Sequence, residues 1–331
     1  MWPAEPLTIN PASAADARGR SAHHPGELPA RGWLDILART RQKLAADNLS
    51  IVAAGVAYYG FFAAVPALGA TISLYALVAD PSTIAAHLEL LARVLPGEVM
   101  PLVQEQISRI TGNTTAAGWG AVIGVVLALY SSARATRALI AGLNIAYNET
   151  ERRGFLRLLV RSLALTFAAI LGVLVVIGLL AAVPLAARRA GVSAGTEMLV
   201  ACLRWPCLVV LFASGVSALY RFGPSRRPAR WSWLSGGAMV AATLWIAACV
   251  GFSFYVSKFG SYDRTYGSLG AIVIFLFWLY LTAYVVLLGA ELNAEMERQT
   301  ARDTTPGPER PLGQRGAFAA DTVGHGRGEK S

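Results

Sequence analysis

Arg134 and Arg137 lie in Ser131-Ser132-Ala-Arg134-Ala-Thr136-Arg137, a polar interruption of an apolar run that begins near Trp119. Residues three apart share a helix face, and Ser131 lies on the same side. Counted from Trp119, Arg134 is about 22 Å along the helix, inside an apolar layer rather than in free water. A charge at the centre of a bilayer costs about 2.5–3.5 kcal/mol on insertion scales, and less near the interface. Such a group needs a watery cavity, a counter-charge or a phosphate. The planar guanidinium can donate two parallel hydrogen bonds to phosphate, so the sharpest reading is an anion or lipid-headgroup site. The blander readings are snorkelling to interfacial phosphates or a structural ion pair.

The expected counter-charge is Glu291. Residues Ser268 to Ala290 carry no charge and close directly on Glu291-Leu-Asn293-Ala-Glu295. On a helix Glu291 and Glu295 share a face while Asn293 points elsewhere. By depth, Glu291 is expected to meet the Arg134 and Arg137 region, so the candidate substrate site is Arg134, Arg137, Ser131, Glu291 and Asn293. Pro66 removes a backbone hydrogen bond inside another apolar run and is the candidate kink or gating point. Tyr58, Tyr59 and Tyr266 are secondary candidates, since tyrosines in a membrane bundle usually pack or sit at its interface.

Other chemistries lack their residues. His23, His24, His87 and His325 show no metal spacing, and Cys202, Cys207 and Cys249 lie in apolar runs where free thiols act as small hydrophobes. There is no GxxxxGK[ST] phosphate loop and no Gly-x-Ser-x-Gly elbow. The expectation is therefore no catalytic residue, no metal, no cofactor and no enzyme.

The elements that must position these residues are helices in a membrane. Hydrophobic residues make up 55% of the 331 and charged residues 15%, against about 25% charged in soluble domains. The uncharged run Ser268–Ala290 is about 34 Å long as a helix, enough to cross a hydrocarbon core of about 30 Å. Further spans are expected at about 49–78, 119–144, 162–187, 198–220 and 233–257, giving an all-α polytopic membrane protein with six transmembrane helices. Residues 31–48 read as an amphipathic helix on the membrane surface, with Trp33, Ile36, Leu37 and Leu44 near one face. The segment 80–115 reads as external interfacial helices broken by prolines. The tails 1–30 and 299–331 are rich in Pro, Gly, Ala and Arg and read as disordered, leaving 31–298 as the membrane domain.

Six spans place both termini on one side. That side would hold Arg39, Arg41, Lys43, Arg152, Arg153, Arg157, Arg161, Arg221, Arg226, Arg227, Arg230, Arg298 and Arg302. The other would hold Arg93, Arg109, Arg188, Arg189, Lys258 and Arg264. The imbalance puts both termini in the cytoplasm. The net charge of +9 then points to anionic membrane lipids rather than nucleic acid. Gly120 and Gly124 make one small-xxx-small step, compatible with a homo-oligomer.

Three separated motifs also carry a resemblance. They are Ala53-Ala-Gly-Val-Ala-Tyr58-Tyr59-Gly-Phe-Phe-Ala63-Ala64-Val-Pro66-Ala-Leu68, then Tyr220-Arg-Phe-Gly-Pro224. The third comprises Tyr266-Gly-Ser-Leu-Gly270, Trp278 and Leu288-Gly-Ala-Glu291-Leu-Asn293-Ala294. Together they resemble the YihY/BrkB family of bacterial inner-membrane proteins over about residues 45–298. One departure is Ala63-Ala64, where many members carry a serine before the proline. The resemblance implies six spanning helices, an inner-membrane location and an association with virulence, with some members regarded as lipid exporters. It also brings an old "ribonuclease BN" label, for which this sequence supplies no catalytic set. The expected function is a transporter or flippase of an anionic lipid or envelope precursor. The alternatives are a non-catalytic envelope scaffold and, less favoured, a membrane-tethered ribonuclease.

Overall fold

Long uncharged runs leave the backbone no partner but itself, and a helix satisfies every internal N–H and C=O. The computed structural model describes residues 17–76, 117–182, 194–259 and 268–326, and no strand occurs among them. The helices are α1 (Ala30–Ala46), α2 (Leu49–Ala76), α3 (Ala117–Ala146), α4 (Phe155–Ile177), α5 (Ala194–Phe222), α6 (Trp231–Phe259), α7 (Ser268–Glu297) and the short α8 (Phe318–Asp321). A π-helical turn, Gly178–Ala182, continues α4, and a 3-10 turn, Pro25–Glu27, precedes α1. The sharp joints after α1 and α3 are made by Asn48 and Asn148, both left-handed at φ 49° and 53°, a conformation asparagine tolerates better than most side chains.

Among the described residues, four segments are long and apolar enough to cross a membrane: Phe155–Leu180, Cys202–Phe222, Trp231–Val256 and Ile272–Glu297. A shorter apolar stretch, Leu49–Ala64, lies in α2. The polarity is the reverse of a water-soluble protein. On α4, Phe155, Leu156, Val160 and Val173 are exposed while Ser162 and Thr166 are buried, as expected of a helix facing lipid. This is an all-helical membrane protein.

Its tightest seam is the α6–α7 crossing. A Cβ built on Gly237 would overlap the Gly289 carbonyl oxygen, and one on Gly289 would meet the Tyr220 hydroxyl and lie 2.7 Å from the Gly237 oxygen. Only glycine lets the two backbones approach this closely. The Tyr220 hydroxyl donates to the Val286 carbonyl at 2.6 Å, tying α5 to the same level of α7. Ala238, Ala241 and Ala290 fill the rest of the seam, with Trp233 and Leu287 buried beside it.

One expectation is corrected here. Over the described residues, the tails are built into the fold. Ala301 donates to the Arg20 carbonyl at 2.8 Å, Thr300 Oγ1 to the Ala22 carbonyl at 2.8 Å, and Gly324 to the Arg298 carbonyl at 2.8 Å. The buried Arg315 donates to the carbonyls of Ala301, Arg302, Arg310 and Ala320. Such contacts use backbone carbonyls one at a time and leave no periodic signature. The helix expected on the membrane surface is α1, and the structure shows which of its sides meets the bundle. Its buried positions are Gly32, Asp35, Ile36 and Thr40, while Leu34 and Leu37 are exposed. Its largely polar side docks on the bundle because acidic groups of α7 wait there. The expected external segment 80–115 and Tyr266 lie outside the described residues.

Candidate functional site

The last two turns of α7 carry four polar side chains without exposure: Glu291 and Asn293 at 0%, Glu295 at 0% and Glu297 at 1%. Burying so many charges is costly unless each is paired. Their spacing divides them between two faces.

Glu291 and Glu295, four apart, face α1, where Lys43 and Arg39 are also four apart. The helices run antiparallel, so the pairs form a ladder: Arg39 Nε to Glu295 Oε2 at 2.6 Å and Lys43 Nζ to Glu291 Oε2 at 3.2 Å. Arg39 also donates to Gln299 Oε1 at 2.7 Å and to the Glu295 carbonyl at 3.1 Å, and Arg298 reaches Glu295 Oε1 at 2.6 Å. Lys43 Nζ donates to the Ala146 carbonyl at 2.9 Å, capping the negative end of α3. It lies 3.2 Å from Asp47 Oδ2 as well.

Asn293 and Glu297 face the other way. Asn293 accepts from Gly237 N at 2.7 Å and donates to the Leu234 carbonyl at 3.0 Å, clamping the first turns of α6. Glu297 takes both oxygens to Arg226 Nη2 at 2.8 Å and accepts from Thr304 Oγ1 at 3.0 Å. The Arg226 guanidinium lies 4.5 Å from the centroid of the Tyr147 ring. Burial works against the Arg226 charge, yet Glu297, Tyr147 and Glu149 more than offset it and hold the group above the ordinary arginine range. Burial likewise pushes the Tyr147 phenol well above its usual value.

Glu291 is thus not the partner of Arg134 or Arg137. Lys43 bonds both Glu291 and the last carbonyl of α3, so those positions are level. Arg134 lies twelve residues earlier on α3, about 18 Å away along the axis, and Arg137 about 13 Å. No guanidinium bridges that depth. Asn293, likewise expected in the substrate site, is a clamp between α7 and α6.

Arg134 is exposed and makes no ion pair among the described residues; Arg137 is half-buried, 5.5 Å from the Tyr130 ring centroid. Beside them a polar seam joins α3 to α4. Thr136 Oγ1 and Thr166 Oγ1 are 2.7 Å apart, Thr166 also donates to the Ser162 carbonyl at 2.8 Å, and Ser132 is buried. The side chains of Ser131 and Pro66 lie outside the described residues, though α2 runs as continuous helix through residue 66. Tyr58 and Tyr59 are exposed, stacking edge-on at 5.5 Å on the outside of α2. Among the described residues no group of three His, Cys, Asp or Glu is arranged to hold a metal.

The residues that sequence reasoning passed over are Arg39, Lys43, Arg226 and Thr166. For the first two a signal existed: a basic pair and an acidic pair, each at i,i+4, on separate helices.

Comparison with known proteins agrees with this architecture. The chain is 32% identical over 212 residues to the ribonuclease-like protein YfkH of Bacillus subtilis (strain 168), covering 62% of this chain and 74% of that protein. It is 29% identical over 313 residues to a UPF0761 membrane protein of Rhodospirillum centenum, covering 93% of this chain and 67% of that one. A UPF0761 membrane protein of Photobacterium profundum is 30% identical over 270 residues, 78% of this chain and 80% of the relative. No solved structure matches. Residues 40–313 match the family described as Virulence factor BrkB, and they include the Lys43–Glu291 rung of the α1–α7 ladder, the glycine crossing and the Arg226–Glu297 pair, with Arg39 one residue before the matched range. The chain is a membrane protein of the BrkB family.

Proposed function

We propose that this protein binds the headgroup of an anionic lipid or envelope precursor through Arg134 and Arg137 and moves it across the bacterial inner membrane. The observation that carries the reading is the exposed Arg134 guanidinium, without an ionic partner among the described residues, about 18 Å from the cytoplasmic end of α3. In hydrocarbon a cation of this kind is costly unless an anion or water meets it, and a phosphate matches its hydrogen-bonding fork. The adjacent Thr136–Thr166 seam supplies hydroxyls at the same depth. In this reading α2–α7 are six spans, both termini are cytoplasmic, no cofactor takes part and the protein is not an enzyme. The ionic cluster around α7 holds the frame and takes no part in headgroup binding.

The test is lipid scrambling in vesicles containing fluorescent phosphatidylglycerol, followed by quenching of the outer leaflet. Wild-type protein accelerates exchange between leaflets, and Arg134→Ala slows it. A wild-type rate equal to that of protein-free vesicles sinks the reading. A scaffold is the second reading, favoured by the ordered platform that residues 17–30 and 299–326 build on one end of the bundle. It requires that Arg134→Ala leave function intact in the cell.

A further inference from the structure

The Lys43–Glu291 contact has one carboxylate too many. Lys43 Nζ lies 3.2 Å from Glu291 Oε2 and 3.2 Å from Asp47 Oδ2, with its best-placed remaining N–H on the Ala146 carbonyl. One ammonium therefore serves two carboxylates, and full ionisation leaves a net negative charge. Glu291 has no exposure, Lys43 and Asp47 side chains only 14% and 19%. One oxygen in this cluster, Glu291 Oε1, is buried without a hydrogen-bond donor among the described residues, and Asp47 Oδ2 has the Lys43 ammonium beside it without a well-aligned hydrogen bond. Both carboxylates converge on the same Lys43 nitrogen.

No neighbour relieves the surplus. On α1, Arg39 is committed to Glu295 and Gln299. On α7, Arg298 holds Glu295, and Glu295 and Glu297 add negative charge. Arg226, from the α5–α6 connection, holds Glu297. The carbonyl end of α3 is unfavourable to further negative charge, and the Tyr147 phenol just beyond it, held protonated by burial, brings no positive charge. The described side chains of α2, Leu49–Ala64, carry no charge, and α6 presents Trp233, Leu234 and Gly237 to this end of α7. A proton is the missing component. Placed on one carboxyl, it cancels the surplus charge and adds the donor that the cluster lacks.

We propose that Glu291 and Asp47 share one exchangeable proton beside Lys43, making the α1–α7 junction a proton-binding site. The inference rests on this cluster alone and does not depend on the lipid reading. Releasing the proton sets two carboxylates against each other across one ammonium. Asp47 sits at the end of α1, next to the left-handed Asn48 joint, so that end of α1 gives way first. Proton occupancy thereby controls how tightly the surface helix docks on the last transmembrane helix.

The test is infrared difference spectroscopy of the full-length protein in lipid nanodiscs, titrated from about pH 6 to about pH 9. Wild type should show the carbonyl stretch of one protonated carboxylic acid that disappears on raising the pH. Glu291→Gln and Asp47→Asn should each abolish it, because the introduced amide donates where the proton did. Lys43→Met should move its loss to higher pH, since the cation that favours ionisation is gone, and Glu295→Gln should leave it in place. Absence of the band in wild type at neutral pH, a result that needs no variant, overturns the proposal. So does its survival in both Glu291→Gln and Asp47→Asn, or its loss in Glu295→Gln.

Discussion

The glycine crossing supports a prediction whose size follows from the geometry. In Gly289→Ala, the new methyl would meet the Tyr220 hydroxyl, lie 2.7 Å from the Gly237 carbonyl oxygen and 2.9 Å from the Ala241 methyl. The first neighbour is anchored by its bond to the Val286 carbonyl, the second is backbone, and the third is short and rigid. None is the free end of a flexible side chain, so relief requires α6 and α7 to separate. Overpacking of this kind costs about 1–3 kcal/mol. Losing the Tyr220–Val286 hydrogen bond adds about 1 kcal/mol. The expected loss is thus about 2–4 kcal/mol, measured as unfolding of purified protein by SDS titration in mixed micelles. Tyr220→Phe supplies the internal check. It removes one of the colliding atoms, so the double variant should lose less than the two single losses together, a coupling expected only of residues in contact. If Gly289→Ala unfolds at the wild-type SDS fraction, the close approach of α6 and α7 is wrong.

Two further predictions concern charge. Arg226→Met strands Glu297 in a site where both side chains are almost fully buried, at 1% and 0% exposure, and should cost about 3–5 kcal/mol in the same assay. The Arg226→Met, Glu297→Leu double variant should recover much of that loss, whereas simple addition of the two effects would show that the pair does not interact. Glu151 is held at about 2, below its usual 4.5, first by the Arg153 side chain, which donates at 2.7 Å, and then by the Arg153 N–H and Asn144. A depressed carboxylate contributes stability above its unfolded pKa and loses it as pH falls through the folded one. The stability difference between wild type and Glu151→Gln should therefore persist at neutral pH and vanish between about pH 4.5 and about pH 2. A difference that does not change across that window would refute the assignment.

How much of this was legible depended on whether a feature repeats along the chain. The apolar helices were legible because membrane insertion demands uninterrupted runs, and Ser268–Ala290 has one without a single charge. The shared face of Glu291 and Glu295 was legible from helical period alone. Their partners were not, because a charge declares its need for a counter-charge but not which helix brings it. The tails were misread for a related reason: Arg315 organises residues 301–320 by donating to four separate carbonyls, and carbonyls have no sequence signature.

The same reasoning separates the roles of the acidic and basic candidates. The residues of the closing motif that seemed chemically promising, Glu291 and Asn293, are each committed: one to Lys43 beneath α3, the other to the backbone of α6. With Glu295 and Glu297 they join α1, α6 and the terminal segments to one end of α7. Disrupting any of them perturbs the frame, so loss of activity in such variants says little about a substrate. Arg134 differs. It is exposed, makes no ion pair among the described residues and lies about 18 Å along α3 from that frame. Arg134→Ala should then leave the SDS unfolding midpoint within about 0.5 kcal/mol of wild type while removing headgroup binding. A large loss of stability would instead make Arg134 another member of the frame.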